Sequence, residues 1–354
     1  MLRPDEMAEA GAVLRSCLGA ADSEVNRWAA MFGVNQMSRV IGHGGFGVVV
    51  AGTRRTDGAP VAIKFQTMPT RTQINELACL STFAQRPHPN VIKIWDLLVS
   101  ERERRCIVAM AMPRMFLDLR QLMAAAAAAD AEEAAAYATT PLGWPLVKSL
   151  ARDLVKAVRH MHSLNLLHRD IKPRNCGVAI GSTKLKLQLM DFGVSRGANC
   201  CPGAGGHAPE PMTMGVTTLW YSAPEALRIA PGTTAYSKQA DVWSAAMTMG
   251  ELFFAKALAP AKHETHVLRV LAKIIGYPSA PGQQWARDEL AKSTASVAGP
   301  FLTLAAMRFP HAHAHHNRCA TASRSLLQKC IRWEPGERLT AEAMMLHRFF
   351  EAGR

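Results

Sequence analysis

Apolar residues change their spacing along the chain, and each change marks a different kind of element. Before residue 36, Ala8 to Cys17 reads as a short helix and a second apolar stretch lies around Trp28 to Phe32, neither with chemistry attached. From Ser38 the pattern turns to strand. Val40 and Ile41 precede a glycine cluster, Val48 to Ala51 follow it, and Val61 to Phe65 lie beyond the turn signal Thr56-Asp57-Gly58. A glycine-tipped hairpin and a third strand are predicted. A helix-period segment follows at Ile74, Leu77, Ala78 and Leu80, and then strand candidates at Val91 to Val99 and Cys106 to Met112. These five strands and one helix make a small lobe, residues 36–112. Long amphipathic stretches at Pro145 to Ser163, Lys238 to Phe254 and His263 to Ile275 predict a larger, α-rich lobe, residues 113–352. Within it the tract 124–137 opens with six consecutive alanines and reads as an inserted helical extension, since alanine is the best helix former. The expected class is α+β and bilobal, behind an N-terminal extension, residues 1–35.

Composition narrows the classes of function. At 354 residues, 49% hydrophobic and 19% charged, the chain has material for about two domains and is neither disordered nor fibrous. Only 6% of residues are aromatic, so aliphatic side chains must fill the core. The net charge of +13 favours anionic partners. The basic residues are scattered, however, and the densest cluster, Glu101 to Arg105, alternates in sign, so no nucleic-acid interface is expected. None of the eight cysteines forms a C-x-x-C pair, and they read as reduced thiols. Acidic residues near the N-terminus argue against a transit peptide, and no apolar run reaches the ~18 residues a bilayer requires. A cytoplasmic or nuclear protein without membrane attachment is expected. His311, His313, His315 and His316 read as an exposed loop rather than a metal site.

Three stretches carry chemistry. Gly42, Gly44 and Gly47 with Val49 form G-x-G-x-x-G-x-V between two strands rather than between a strand and a helix, which separates it from a dinucleotide-binding turn. Glycines there allow backbone N–H groups to approach phosphates, and Phe46 at the tip would shield them from water. Lys64 ends the buried run Val61-Ala62-Ile63, where its charge needs a partner, and Glu76 on the following helix is the natural one. Finally, His168-Arg169-Asp170-Ile171-Lys172-Pro173-Arg174-Asn175 is followed sixteen residues later by Asp191-Phe192-Gly193.

These motifs resemble those of the eukaryotic protein kinases, and the likeness continues through Ala223-Pro224-Glu225, Asp241-Val242-Trp243-Ser244 and Arg338. The resemblance implies ATP and Mg²⁺ as cofactors and protein Ser/Thr hydroxyls as acceptors. It makes Asp170 the catalytic base, Lys172 the residue that steadies the γ-phosphate, and Asn175 and Asp191 the Mg²⁺ ligands. Lys64, paired with Glu76, would hold the α- and β-phosphates, and Thr218 would bond Asp170. The nucleotide would lie against Ile41, Gly42, Gly44, Gly45, Phe46, Gly47, Val49, Ala62, Met110 and Met112. Ala109 falls near the gatekeeper position, or Met110 if the alignment shifts by one, with Gly177 on the pocket floor. Arg338 is similar to the arginine that pairs with Glu225, and Asp241 to the residue that braces the catalytic loop.

Thr218-Leu219-Trp220-Tyr221 and the Gly276-Tyr277-Pro278 break resemble the CMGC group, and cyclin-dependent kinases in particular. Such kinases take a cyclin-like regulatory subunit. The contacting helix departs here, being one residue longer and carrying Asn75 in place of an arginine, and Ser222 stands where an arginine is usual. Thr213, five residues before Thr218, matches their activating phosphorylation site, with Arg169 and Arg196 to receive the phosphate. The rival reading is a catalytically silent scaffold with the same fold.

Overall fold

Alternation along one strand decides how the first part of the molecule is built. Val61, Ile63 and Phe65 are sealed from solvent on one face of their strand, leaving Ala62 and Lys64 to the other. The computed structural model describes residues 4–18, 24–44, 47–69, 81–102, 105–133, 142–180, 184–192, 195–197, 219–227, 236–279, 283–292 and 316–351. The chain divides into two compact units, Met1–Phe116 and Leu117–Arg354.

In the first unit, β1 (Val40–Gly44), β2 (Gly47–Thr53), β3 (Pro60–Pro69), β4 (Asp96–Arg102) and β5 (Arg105–Pro113) form an antiparallel sheet in the order β1-β2-β3-β5-β4. Helices α1 (Pro4–Leu18) and α2 (Glu24–Ala30) close its outer face. Leu14, Leu18, Val25 and Phe32 join Val50, Ile63, Phe65 and Ile107 in one buried cluster. Each such side chain is worth roughly 1.5–3 kcal/mol when buried, so these helices are part of the sheet's core. Trp28 stacks on Phe32 at 5.0 Å and donates its indole N–H to Asp96 Oδ2 at 3.0 Å, tying α2 to β4.

The fourth strand begins later than expected from the apolar run at Val91. Val91 and Ile92 are buried, but the Val91 amide donates to the His88 carbonyl at 3.0 Å in a turn, and pairing with β5 starts where Trp95 N–H meets Ala111 O at 2.8 Å. An apolar run reports burial, not conformation, and here a buried turn has the composition of a strand.

The second unit is mainly helical. Its elements are α3 (Leu119–Glu133), α4 (Trp144–Ser163), α5 (Lys238–Phe254), α6 (Glu264–Ile275), α7 (Gln284–Ala291), α8 (His316–Cys330) and α9 (Ala341–Met345). Asp118 caps α3 through a reciprocal pair: its Oδ1 accepts the Gln121 amide at 2.7 Å, and Gln121 Oε1 accepts the Asp118 amide at 2.9 Å. Helix α5 matches its expected bounds, capped by Ser237 Oγ on the Gln239 amide. Trp144, Phe253 and Phe349 stack within 6.3 Å of one another, and the side chains of Lys148 and Arg152 hold the carbonyls of Glu351 and Phe350. Short strands β6 (Leu117–Asp118), β8 (Cys176–Ile180) and β9 (Leu185–Leu189) form one sheet, and β7 (Leu166–Leu167) pairs with β10 (Arg196–Gly197). Among the described residues no helix is long and apolar enough to cross a membrane.

Candidate active site

In the first unit the ladder places the predicted nucleotide residues in rows. Gly42 pairs with Val49, Val49 with Lys64, and Lys64 with Met110; the next row is Ala51, Ala62 and Met112. Strand alternation puts Val49, Ala62, Lys64, Met110 and Met112 on the inner face. Ala109 pairs with Phe65 and belongs to the outer cluster with the helices, so the gatekeeper placement at Ala109 is corrected: the inner-face residues of β5 are Met110 and Met112. Lys64 is 7% exposed. Gln66, two residues on and 2% exposed, finds no hydrogen-bond partner for either amide atom among the described residues.

The glycine at 47 has a local cause. Gly47 has φ +113, and a Cβ there would sit 2.0 Å from the Phe65 carbonyl, so only glycine lets β2 approach β3 at this point. Gly42 has no such constraint, since a Cβ there would meet Val49 at an ordinary 3.5 Å. Ile41 is 40% exposed and Gly44 ends β1. Gly45, Phe46 and Glu76 lie outside the described residues.

In the second unit the site is built on one carboxylate. Asp241, at the start of α5, is fully buried and takes the backbone N–H groups of His168 at 2.8 Å and Arg169 at 2.9 Å, with His162 Nε2 at 3.1 Å and the Tyr236 hydroxyl at 3.2 Å. Burial pushes its carboxyl up, but the hydrogen bonds from His162 and from the Arg169 backbone outweigh that and hold it below the ordinary range. These bonds hold Arg169 at φ +71, a left-handed conformation that a non-glycine residue avoids unless its surroundings impose it. The Arg169 guanidinium lies 5.5 Å from the Tyr236 ring.

His168 is the next link. Its Nδ1 accepts the Asp170 amide at 3.2 Å, so the proton is on Nε2, which donates to the Met190 carbonyl at 3.1 Å. Burial pushes this imidazole below its usual pKa, consistent with the neutral form that both bonds require. The ring also meets Phe192 edge-on at 5.2 Å.

Asp170 is thereby aimed, and its two oxygens are unequal. Oδ2 accepts Lys172 Nζ at 2.7 Å and Asn175 Nδ2 at 2.9 Å, while Asn175 Nδ2 also donates to the Asp170 carbonyl at 2.8 Å. Oδ1 is buried and has no hydrogen-bond partner among the described residues. A buried carboxylate oxygen left unsatisfied is costly, and it suits an incoming donor. Because the Asn175 nitrogen is spent on Asp170, its Oδ1 remains as an oxygen ligand. Asp191, at φ +65, follows Met190, whose amide donates to the Asn175 carbonyl at 2.9 Å. The fold thus brings Asn175 and Asp191 together, two hard oxygen donors of the kind Mg²⁺ prefers.

Other expected residues fall differently. Gly177 lies on β8, opposite Asp118 and Gln188. The Arg196 backbone pairs with Leu167, and its side chain is outside what the structure describes. Thr213, Thr218, Gly193 and the loop 311–315 are likewise outside the described residues. Sequence reasoning missed His162 and Tyr236, whose part in bracing the loop depends on contacts with Asp241, 79 and 5 residues away. Arg338 does meet Glu225, through two hydrogen bonds of 2.6 and 2.8 Å.

A protein kinase domain model matches residues 35–350. With an antiparallel five-stranded sheet in one unit and, in the other, a loop that sets Lys172 and Asn175 around Asp170, this chain belongs to the protein kinase family.

Proposed function

We propose that the protein is an ATP- and Mg²⁺-dependent serine/threonine kinase of cyclin-dependent-kinase-like type. The observation that carries the reading is the buried Oδ1 of Asp170, without a hydrogen-bond partner among the described residues, beside an Oδ2 already occupied by Lys172 and Asn175. A substrate hydroxyl donating to Oδ1 would be oriented by Asp170 and would lose its proton there. ATP with Mg²⁺ supplies the phosphoryl group, and the chain supplies positioning and charge. Asn175 Oδ1 and the Asp191 carboxylate would hold the metal. Lys64, with Glu76, would hold the α- and β-phosphates against the inner-face row that includes Val49, Ala62 and Met112, under the backbone of residues 42–47. Lys172 would balance charge at the γ-phosphate.

The Ser/Thr assignment rests on Lys172, two residues after Asp170, and the subtype on Thr218-Leu219-Trp220-Tyr221 and Gly276-Tyr277-Pro278. Trp220 and Tyr221 are anchored, by Nε1 to Ala261 O at 2.7 Å and by the hydroxyl to Glu251 Oε2 at 2.6 Å. Thr213 is the proposed activating phosphorylation site, with Arg169 and Arg196 as its receptors, and a cyclin-like subunit is the proposed regulatory partner. The test is transfer of labelled phosphate from ATP, with Mg²⁺, to a degenerate Ser/Thr peptide library. Wild type should transfer and Asp191→Ala should not. Equal background in both would leave a silent scaffold as the function.

A further inference from the structure

Among the described residues, two exposed arginines lie on the turn that follows the proposed base and on the helix packed against that turn. Arg174 lies in the turn Pro173–Asn175 and is the exposed side chain between half-buried Lys172 and buried Asn175. Four residues of chain span at most ~14 Å, so Arg174 lies within about four extended peptide residues of Asp170. Arg120 is also exposed, in the first turn of α3, which packs on that turn. Both guanidiniums bear electrostatically on Asp118, which ends β6 two residues before Arg120.

Asp118 lies near both arginines and Glu251 near Arg120, and neither carboxylate makes an ion pair with them among the described residues. Asp118 is half-buried and spends Oδ1 on the Gln121 amide as the cap of α3. Glu251 is half-buried and accepts the Tyr221 hydroxyl at 2.6 Å. Burial draws both carboxyls above their usual range, while the Arg120 charge pulls both back, as Arg174 does for Asp118. The arginines therefore present their charge to solvent and the carboxylates keep theirs inside.

We propose that Arg120 and Arg174 form a specificity subsite for an acidic side chain of the protein substrate, aspartate or glutamate, within about four residues of the phosphoacceptor. The inference rests on the kinase reading above and adds its substrate class. Two planar guanidiniums on separate elements can grip one carboxylate, and a lysine-rich peptide would be repelled from the same place.

The experiment uses one Ser/Thr peptide series in which a single position, from four residues before to four after the acceptor, is Asp, Ala or Lys. For wild type, kcat/KM should favour Asp over Lys by about 3- to 10-fold at one or two positions, mostly through KM. The preference should shrink between about 0.1 M and 1 M salt, as the screening length falls from ~10 Å to ~3 Å. Arg174→Glu should invert the Asp/Lys ratio and Arg120→Glu should lower it. Because the ratio is taken within one enzyme, partial loss of folded protein cancels. Fluorescence anisotropy of labelled Asp and Lys peptides, measured in parallel, separates this proposal from the kinase reading. Charge-selective binding that Arg174→Glu reverses, with no phosphate transfer, would keep the subsite and sink the kinase. Transfer with equal Asp and Lys rates, or a ratio unchanged in Arg174→Glu, would overturn the subsite and keep the kinase. Neither transfer nor selective binding would overturn both.

Discussion

Arg338 closes on Glu225 with hydrogen bonds of 2.6 and 2.8 Å across 113 residues of chain, and its side chain has no solvent exposure. It also donates to the carbonyls of Arg332, Gln239 and Trp333, and lies 4.9 Å from the Trp243 ring. Breaking such a pair strands a buried charge, so Arg338→Ala and Glu225→Ala should each destabilise the fold by roughly 3–5 kcal/mol. Arg338→Ala should cost more, because it also deprives three carbonyls of their donor. Chemical denaturation of both single variants and the double is the check: additive losses would show that the two side chains do not act as a pair.

Asp170→Asn and Lys64→Met should each lower phosphate transfer by ~10²-fold or more while leaving the far-ultraviolet circular dichroism unchanged. For Asp170 the cause is the loss of basicity at Oδ1, the oxygen without a partner among the described residues. A folded variant with near wild-type turnover would remove the role assigned to that residue.

Acid should destabilise the protein through histidines held neutral. His168 accepts and donates as a neutral imidazole, and His347 uses Nδ1 to accept the Phe349 amide at 3.2 Å; burial pushes both below their usual pKa. The unfolded chain therefore binds protons that the native state resists. Stability from these groups is present above about pH 6.5 and is lost as pH falls below it, by up to ~1.4 kcal/mol per pH unit for each histidine. His347→Asn keeps a capping acceptor that does not titrate, so the stability it retains should fall less steeply between pH 7.5 and 5.5. Parallel slopes for wild type and variant would rule His347 out of the effect.

Gln66 buries an amide with no hydrogen-bond partner for either polar atom among the described residues. An apolar side chain of similar length removes that desolvation cost, so Gln66→Met should stabilise the fold by about 1–3 kcal/mol. Thermal unfolding would show it, and a lower midpoint would mean that the amide is bonded in the folded protein.

Thr213→Ala should lower activity if phosphorylation there gathers Arg169 and Arg196, since a phosphate adds roughly −1.5 to −2 charges and three acceptor oxygens. Intact mass and phosphosite mapping on active wild type accompany the kinetics. Full activity in the variant, with no phosphate found at Thr213, would end the idea.

Local interactions were legible in the sequence. Asp170, Lys172 and Asn175 lie within six residues, so one turn of backbone suffices to bring them together, and the bounds of α5 are those of the amphipathic stretch Lys238 to Phe254. The spacing of Gly42, Gly44 and Gly47 marked the hairpin for the same reason, and the family model agrees with the kinase resemblance those motifs carry. Only the tertiary structure decided the rest. A strand's alternation offers two faces and does not say which is inward; α1 and α2 settled it by covering Phe65 and Ala109, which leaves Met110 beside Lys64. The resemblance named Asp241 as the brace of the catalytic loop, but no spacing rule announces His162 and Tyr236 on the same carboxylate. Which oxygen of Asp170 the described residues leave open is likewise a matter of three-dimensional hydrogen-bond geometry, because a sequence names the carboxylate but does not assign partners to its two oxygens.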